Sequence, residues 1–166
     1  FSQLAQDADL KVGKLLWIAG HSGPETAEDS RTHVGIVETG VTHGFLRDAD
    51  GTLPTLDPPP TTKTVPTAIT ASGQIAGNYT IAGVVHGFLR DADGTIHTFD
   101  PPSAISTQPF SINASGQVAG SYWIAGFVNH GFLRDADGTI HTFDPPASEF
   151  TSMGGRNMLT ADGQIG

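Results

Sequence analysis

The sequence predicts an all-β protein built from tandem four-stranded antiparallel repeats, β-propeller-like blades of about 43 residues each. Three observations predict it. The string His-Gly-Phe-Leu-Arg-Asp-Ala-Asp-Gly-Thr begins at His43, His86 and His130, at spacings of 43 and 44 residues. A second string precedes it in the units, running Ile69–Gly77, Ile112–Gly120 and Leu159–Gly166. Twenty-one glycines and eleven prolines break the chain into short runs suited to strands and tight turns.

Taken in order, the third unit sets the pattern. Pro109 to Asn113 reads as a first strand, Ala114-Ser115-Gly116 as a tight turn, and Gln117 to Trp123 as a second strand. Phe127 to Arg134 forms the third, Asp135-Ala136-Asp137-Gly138 a hairpin loop, and Thr139 to Asp144 the fourth. In that last strand Ile140, Thr142 and Asp144 point one way while His141 and Phe143 point the other. The segment before His130 is one residue longer than that before His86, as hairpin tips tolerate.

The chain divides accordingly into residues 1–60, a degenerate first repeat with an insert over 21–39, then repeats at 61–102 and 103–146, and the start of a fourth over 147–166. In the degenerate copy, Asp7–Gly13 and Leu16–Gly20 parallel Asn113–Gly120 and Tyr122–Gly126. Four short antiparallel strands per unit is the spacing of a propeller blade. A linear β-repeat stack is the alternative, since contacts between adjacent units are all that either arrangement needs. A closed ring takes four or more blades, so three units and part of another point to self-association through open strand edges or to a longer array.

Composition narrows the function classes. Seventeen acidic against eight basic residues give a net charge of −9, which repels nucleic-acid phosphates and anionic lipid surfaces. No run approaches the ~20 apolar residues of a membrane span. The start Phe1-Ser2-Gln3 lacks the basic and apolar regions of an export signal, although a leader removed earlier fits a chain that begins without Met. Zero cysteines remove disulfides, thiol nucleophiles and thiolate metal sites together.

At the His-Gly-Phe-Leu strings and the Ser-Gly-Gln-Ile/Val-Ala-Gly blocks, the sequence resembles the bacterial HAF repeats, named for a His-Ala-Phe signature. The resemblance covers residues 66–166 well and 1–65 in part. Gly44, Gly87 and Gly131 stand where the family name has Ala, a small-for-small exchange. The resemblance implies an exported, extracellular, propeller-like repeat and no established activity.

Five groups of residues are candidates for chemistry. The Asp-x-Asp-Gly loops at Asp48/Asp50, Asp91/Asp93 and Asp135/Asp137 suggest calcium, the one cofactor the sequence raises, because hard cations seek clustered carboxylates. Position twelve from each first Asp is Pro59, Pro102 or Pro146 instead of the Glu of an EF-hand, so a hairpin turn is the leading reading. His43, His86 and His130 recur once per unit, which suits packing and hydrogen bonding better than a single catalytic centre; a metal-holding ring of histidines is the alternative. His97 and His141 are replaced by Pro54 in the first unit. Trp17, Tyr79, Tyr122 and Trp123 lie near second-strand ends, where aromatics either pack blades or line a carbohydrate groove. The insert, with His21, Glu25, Glu28, Asp29, Arg31 and His33, breaks the repeat symmetry and concentrates titratable groups. Asn78-Tyr79-Thr80 and Asn113-Ala114-Ser115 match glycosylation acceptors.

No catalytic residue is assigned. The expected function is a non-enzymatic extracellular scaffold for binding or self-assembly. A carbohydrate-binding propeller and a hydrolase with its site in the insert are the alternatives.

Overall fold

The computed structural model describes residues 14–19, 33–38, 41–46, 54–58, 60–144, 159–160 and 163–165, those before residue 41 as backbone only. Eleven strands and no helix occur among them. The strands are β1 Lys14–Ala19, β2 His33–Glu38, β3 Val41–Leu46, β4 Lys63–Ile69, β5 Ile75–Ile81, β6 Val84–Arg90, β7 Ile96–Phe99, β8 Ser106–Ile112, β9 Val118–Ile124, β10 Val128–Arg134 and β11 Ile140–Phe143.

Two complete antiparallel meanders emerge, β4-β5-β6-β7 and β8-β9-β10-β11, here blades 2 and 3. Blade 1 comprises β1, β2 and β3 with an antiparallel bridge from Phe45 to Thr55, and the bridge Leu159↔Ile165 opens a fourth unit. Consecutive blades touch through single parallel pairs, Thr42↔Lys63 and Val85↔Ser106. The all-β repeat architecture expected from the sequence is therefore what the chain adopts.

Turn chemistry explains the meander. In the first hairpin of the second, third and fourth units, the Gly73, Gly116 or Gly163 amide donates to the carbonyl three residues back, of Thr70, Asn113 or Thr160. Thr70 Oγ1 and Asn113 Oδ1 each accept from the amide four residues on, at 3.0 Å. A short polar side chain followed by glycine therefore folds three times into one turn. The next turn of blade 2 is Ala82-Gly83, with φ of 50° and 84°, as the two-residue hairpins that match strand twist require.

The core lies between blades. Leu46 and Leu56 of blade 1 pack against Ile75, Tyr79 and Phe88 of blade 2. Ala76 and Leu89 of blade 2 pack against Val118, Tyr122 and Phe132 of blade 3, with Phe99 alongside. Adjacent residues on a strand point to opposite faces, so Phe88 and Leu89 serve different interfaces. This is why the Phe-Leu doublet is apolar throughout and does not alternate: both faces of the blade are covered. Phe99 and Phe132 meet edge to face across the second interface, with ring centroids 5.8 Å apart.

The other strand limits of the third unit fall within one residue of the sequence reading, but the first strands and the first unit differ more. The first strands begin at Lys63 and Ser106, not at the proline, and Pro66 and Pro109 sit inside them. The register with the second strand shifts between Pro66 and Ala68 and between Pro109 and Ser111, a bulge that accommodates a residue unable to donate to the ladder. In the first unit, His33–Glu38 pairs with Val41–Leu46 and so supplies the second strand, although it falls within the 21–39 stretch taken as an insert. Leu16-Trp17-Ile18, likened to a second strand, belongs to the first.

Candidate functional site

The recurrent polar residues resolve into two sets at opposite ends of the blades. At the end carrying the second-to-third strand turns, His43 Nδ1 lies 2.5 Å from Asp57, His86 Nδ1 2.7 Å from Asp100 and His130 Nδ1 2.7 Å from Asp144. Each pair is 14 residues apart and ties the third strand to the end of the fourth. The imidazoles of His86 and His130 also lie against Tyr79 and Tyr122, at 5.3 and 5.2 Å between centroids. Asp100 accepts a further hydrogen bond from the Thr107 hydroxyl on the next blade, so one carboxylate joins two blades. Thr64 occupies the same place after Asp57, buried with its hydroxyl unpaired, while Gly44 N donates to Asp57 Oδ1 at 3.2 Å. The expectation that these histidines bond a neighbouring strand matches this arrangement; they are half-buried rather than enclosed.

At the other end, Asp91 Oδ1 accepts from Gln74 Nε2 at 3.0 Å and its Oδ2 lies 2.8 Å from His97 Nε2. Asp135 repeats this with Gln117 at 2.8 Å and His141 at 2.9 Å. Asp93 and Asp137 accept from the amides of Thr95 and Thr139. Those backbone bonds, helped by the threonine hydroxyls, hold the two carboxyls below the usual carboxylate range. Arg90 and Arg134 each donate from Nη1 to the carbonyl of the aspartate that follows. Arg134 also lies 5.2 Å over the Phe99 ring, where burial lowers its pKa against the opposing pull of Asp91.

The carboxylates of Asp91, Asp93, Asp135 and Asp137 are thus engaged within their own blades, and among the described residues no three His, Asp or Glu side chains converge as a metal site. Asp48 and Asp50 lie outside the described residues, as do His21, Glu25, Glu28, Asp29, Arg31 and the side chain of Trp17. Of the four aromatics considered for a groove, Tyr79 and Tyr122 are buried in the two cores. Tyr122 and Trp123 are neighbours on one strand and face opposite ways, so they cannot line a common surface. Trp123 alone of the three with described side chains retains partial exposure. Asn113 is buried and donates to Gln117 and to the Thr160 carbonyl, which occupies the amide a glycan would need.

The Gln-Asp-His and His-Asp-Thr groupings were not foreseen. Their signal was in the sequence as fixed separations: Asp follows His by 14 residues in three units, and Thr follows that Asp by seven in the same three, at Thr64, Thr107 and Thr151.

Face-to-face four-stranded meanders with polar ties at both ends define a β-propeller-like repeat protein. Among solved structures, TolB from Acinetobacter baumannii is similar, with a TM-score of 0.62 and 16% sequence identity over 91% of this chain. The chain spans 36% of that structure's length, and at this identity the likeness shows the fold alone. No family model matches the chain. No curated protein matches it either.

Proposed function

We propose that the chain is a non-enzymatic repeat scaffold that binds through exposed blade tips. One observation carries the reading: the His-Asp pair recurs with the same partners and nearly the same distances in three successive blades. A catalytic centre needs one cleft in which such groups meet substrate, whereas a tie repeated per unit is how stacked repeats fix their geometry. The HAF-like strings support an extracellular setting.

Self-association is a second reading, favoured by the exposed apolar tips at Val84, Ile105, Phe127 and Val128. The outer strands β7 and β11 favour it less, because strands of four residues are poor templates for pairing with another chain.

His86→Ala and His130→Ala are each expected to cost about 1 kcal/mol of stability, the scale of a partly exposed hydrogen bond, measured by urea unfolding. The wild-type chain is expected to leave chromogenic ester, phosphate and glycoside substrates unturned. Turnover of any of them, abolished by His86→Ala in a chain that remains folded, overturns the scaffold reading. Sedimentation velocity tests the second reading, which predicts that Phe127→Ser reduces any dimer.

A further inference from the structure

Blades 2 and 3 form an internal comparison. Their sequences are identical from His86 to Pro102 and from His130 to Pro146, so a position where they differ is not dictated by blade architecture. They differ along the first strand, around the first hairpin and, with one added residue, at the second-to-third strand tip. In blade 2 the cross-strand row nearest the tip is Lys63–Thr80–Val85. In blade 3 the same row is Ser106–Trp123–Asn129.

Residues directly opposite on neighbouring strands share a face, with Cβ atoms about 4.5–5.5 Å apart. The replacement therefore sets an indole between a hydroxyl and an amide and removes the lysine charge. Beside this row, Ile105 stands where blade 2 has Thr62, and the turn has gained Phe127. Phe127 is 79% exposed and holds a left-handed backbone, φ 60°, that L-residues other than Asn and Asp rarely adopt. Such a residue is kept by neither packing nor turn preference, which marks it for a role at the surface.

A second, independent observation points to a ligand. Asn129 is 6% exposed, and its Oδ1 is buried without a hydrogen-bond partner. Buried polar side chains are nearly always paired, and Val85 shows that the position does not need an amide. Val85→Asn129 is therefore a change that costs stability unless something supplies a donor.

We infer that the row Ser106–Trp123–Asn129, flanked by Phe127, is a subsite for a neutral saccharide. A pyranose offers an apolar C–H face for the indole and hydroxyl donors for Asn129 Oδ1, and Ser106 serves a second hydroxyl. Neutrality follows from the loss of Lys63 and from a chain of net charge −9, which disfavours anionic glycans. A purely apolar side chain would cover Trp123 and still leave Asn129 Oδ1 without a donor. The inference names the ligand class of the binding scaffold proposed above and rests on that reading.

The test is isothermal titration of the wild-type chain with neutral gluco-, xylo-, manno- and N-acetylgluco-oligosaccharides. At least one is expected to bind, with Trp123→Thr weakening it tenfold or more. Asn129→Val, the blade 2 residue, is expected to weaken it about fivefold while raising the thermal midpoint, because it removes an unpaired buried amide. His141→Ala, at the other end of the blade, is expected to leave affinity unchanged. With Trp17→Phe the remaining tryptophan is Trp123, and its emission shifts on binding. No binding by any of the four series, or binding that neither Trp123→Thr nor Asn129→Val weakens, overturns the subsite and leaves the scaffold standing. Release of new reducing ends from a bound saccharide overturns the scaffold reading and leaves the subsite in place.

Discussion

Phe132→Ala is expected to lower unfolding free energy by about 3–5 kcal/mol, the cost of emptying a large aromatic site in a packed core. Phe132 is wholly buried at the interface of blades 2 and 3, edge to face with Phe99 and beneath none of the solvent. Its ring also lies over Gly120, its direct partner on the second strand. Removing it opens the space above a residue that has no side chain to fill it, so little collapse relieves the cavity. Phe88→Ala is expected to behave alike at the first interface, where Phe88 covers Gly77 in the same way. Equilibrium unfolding in urea reads both, and a cost below about 1.5 kcal/mol would place these rings outside the core.

Gly120→Ala carries the second largest expected loss, about 2–3 kcal/mol, at the upper part of the range for overpacking. A methyl group there would overlap the Gln108 backbone carbonyl and meet the Phe132 ring at 2.7 Å. The ring can tilt; the carbonyl belongs to the paired strand and cannot move without breaking the ladder. Gly131 provides the contrast. The three atoms nearest an added methyl there all belong to the Phe143 ring, the closest two at 2.5 and 2.7 Å. Gly131→Ala is therefore expected to cost less than Gly120→Ala, and the reverse order would contradict the assigned register. This close fit also qualifies the small-for-small view of the His-Gly-Phe motif: Gly87 and Gly131 accept alanine only if Phe99 and Phe143 give way.

Much of the fold was legible because repetition exposes what a single copy hides. One string recurring at 43 and 44 residues and another at 43 and 47 marked the unit, and Gly-containing turns within them marked its hairpins. The strand start was misjudged at Pro109 because proline reads as a boundary, whereas this strand, like the one that holds Pro66, absorbs it in a bulge. The second strand of the first unit was hidden because His33–Glu38 lacks the Gly-Gln-Ile-Ala-Gly signature of its counterparts.

The candidate site was less legible. Aromatics near one another in sequence, Tyr122 and Trp123, were grouped although alternation sends one into the core and the other to the opposite face. The Asp-x-Asp-Gly loops drew attention to calcium because charge is visible in a sequence and its partners are not. Gln74 and His97 approach Asp91 from 17 and 6 residues away, a convergence that only the meander creates. Asn129 could not be singled out at all without knowing that it is buried.

The central claim is that order in this chain comes from blades hiding their apolar faces against each other. A double-mutant cycle between Phe99 of blade 2 and Phe132 of blade 3, each changed to Leu, tests it most directly. Stacking at this interface predicts a coupling energy of about 0.5–1.5 kcal/mol in urea unfolding. Strictly additive losses would mean that the two rings do not meet and would contradict the account.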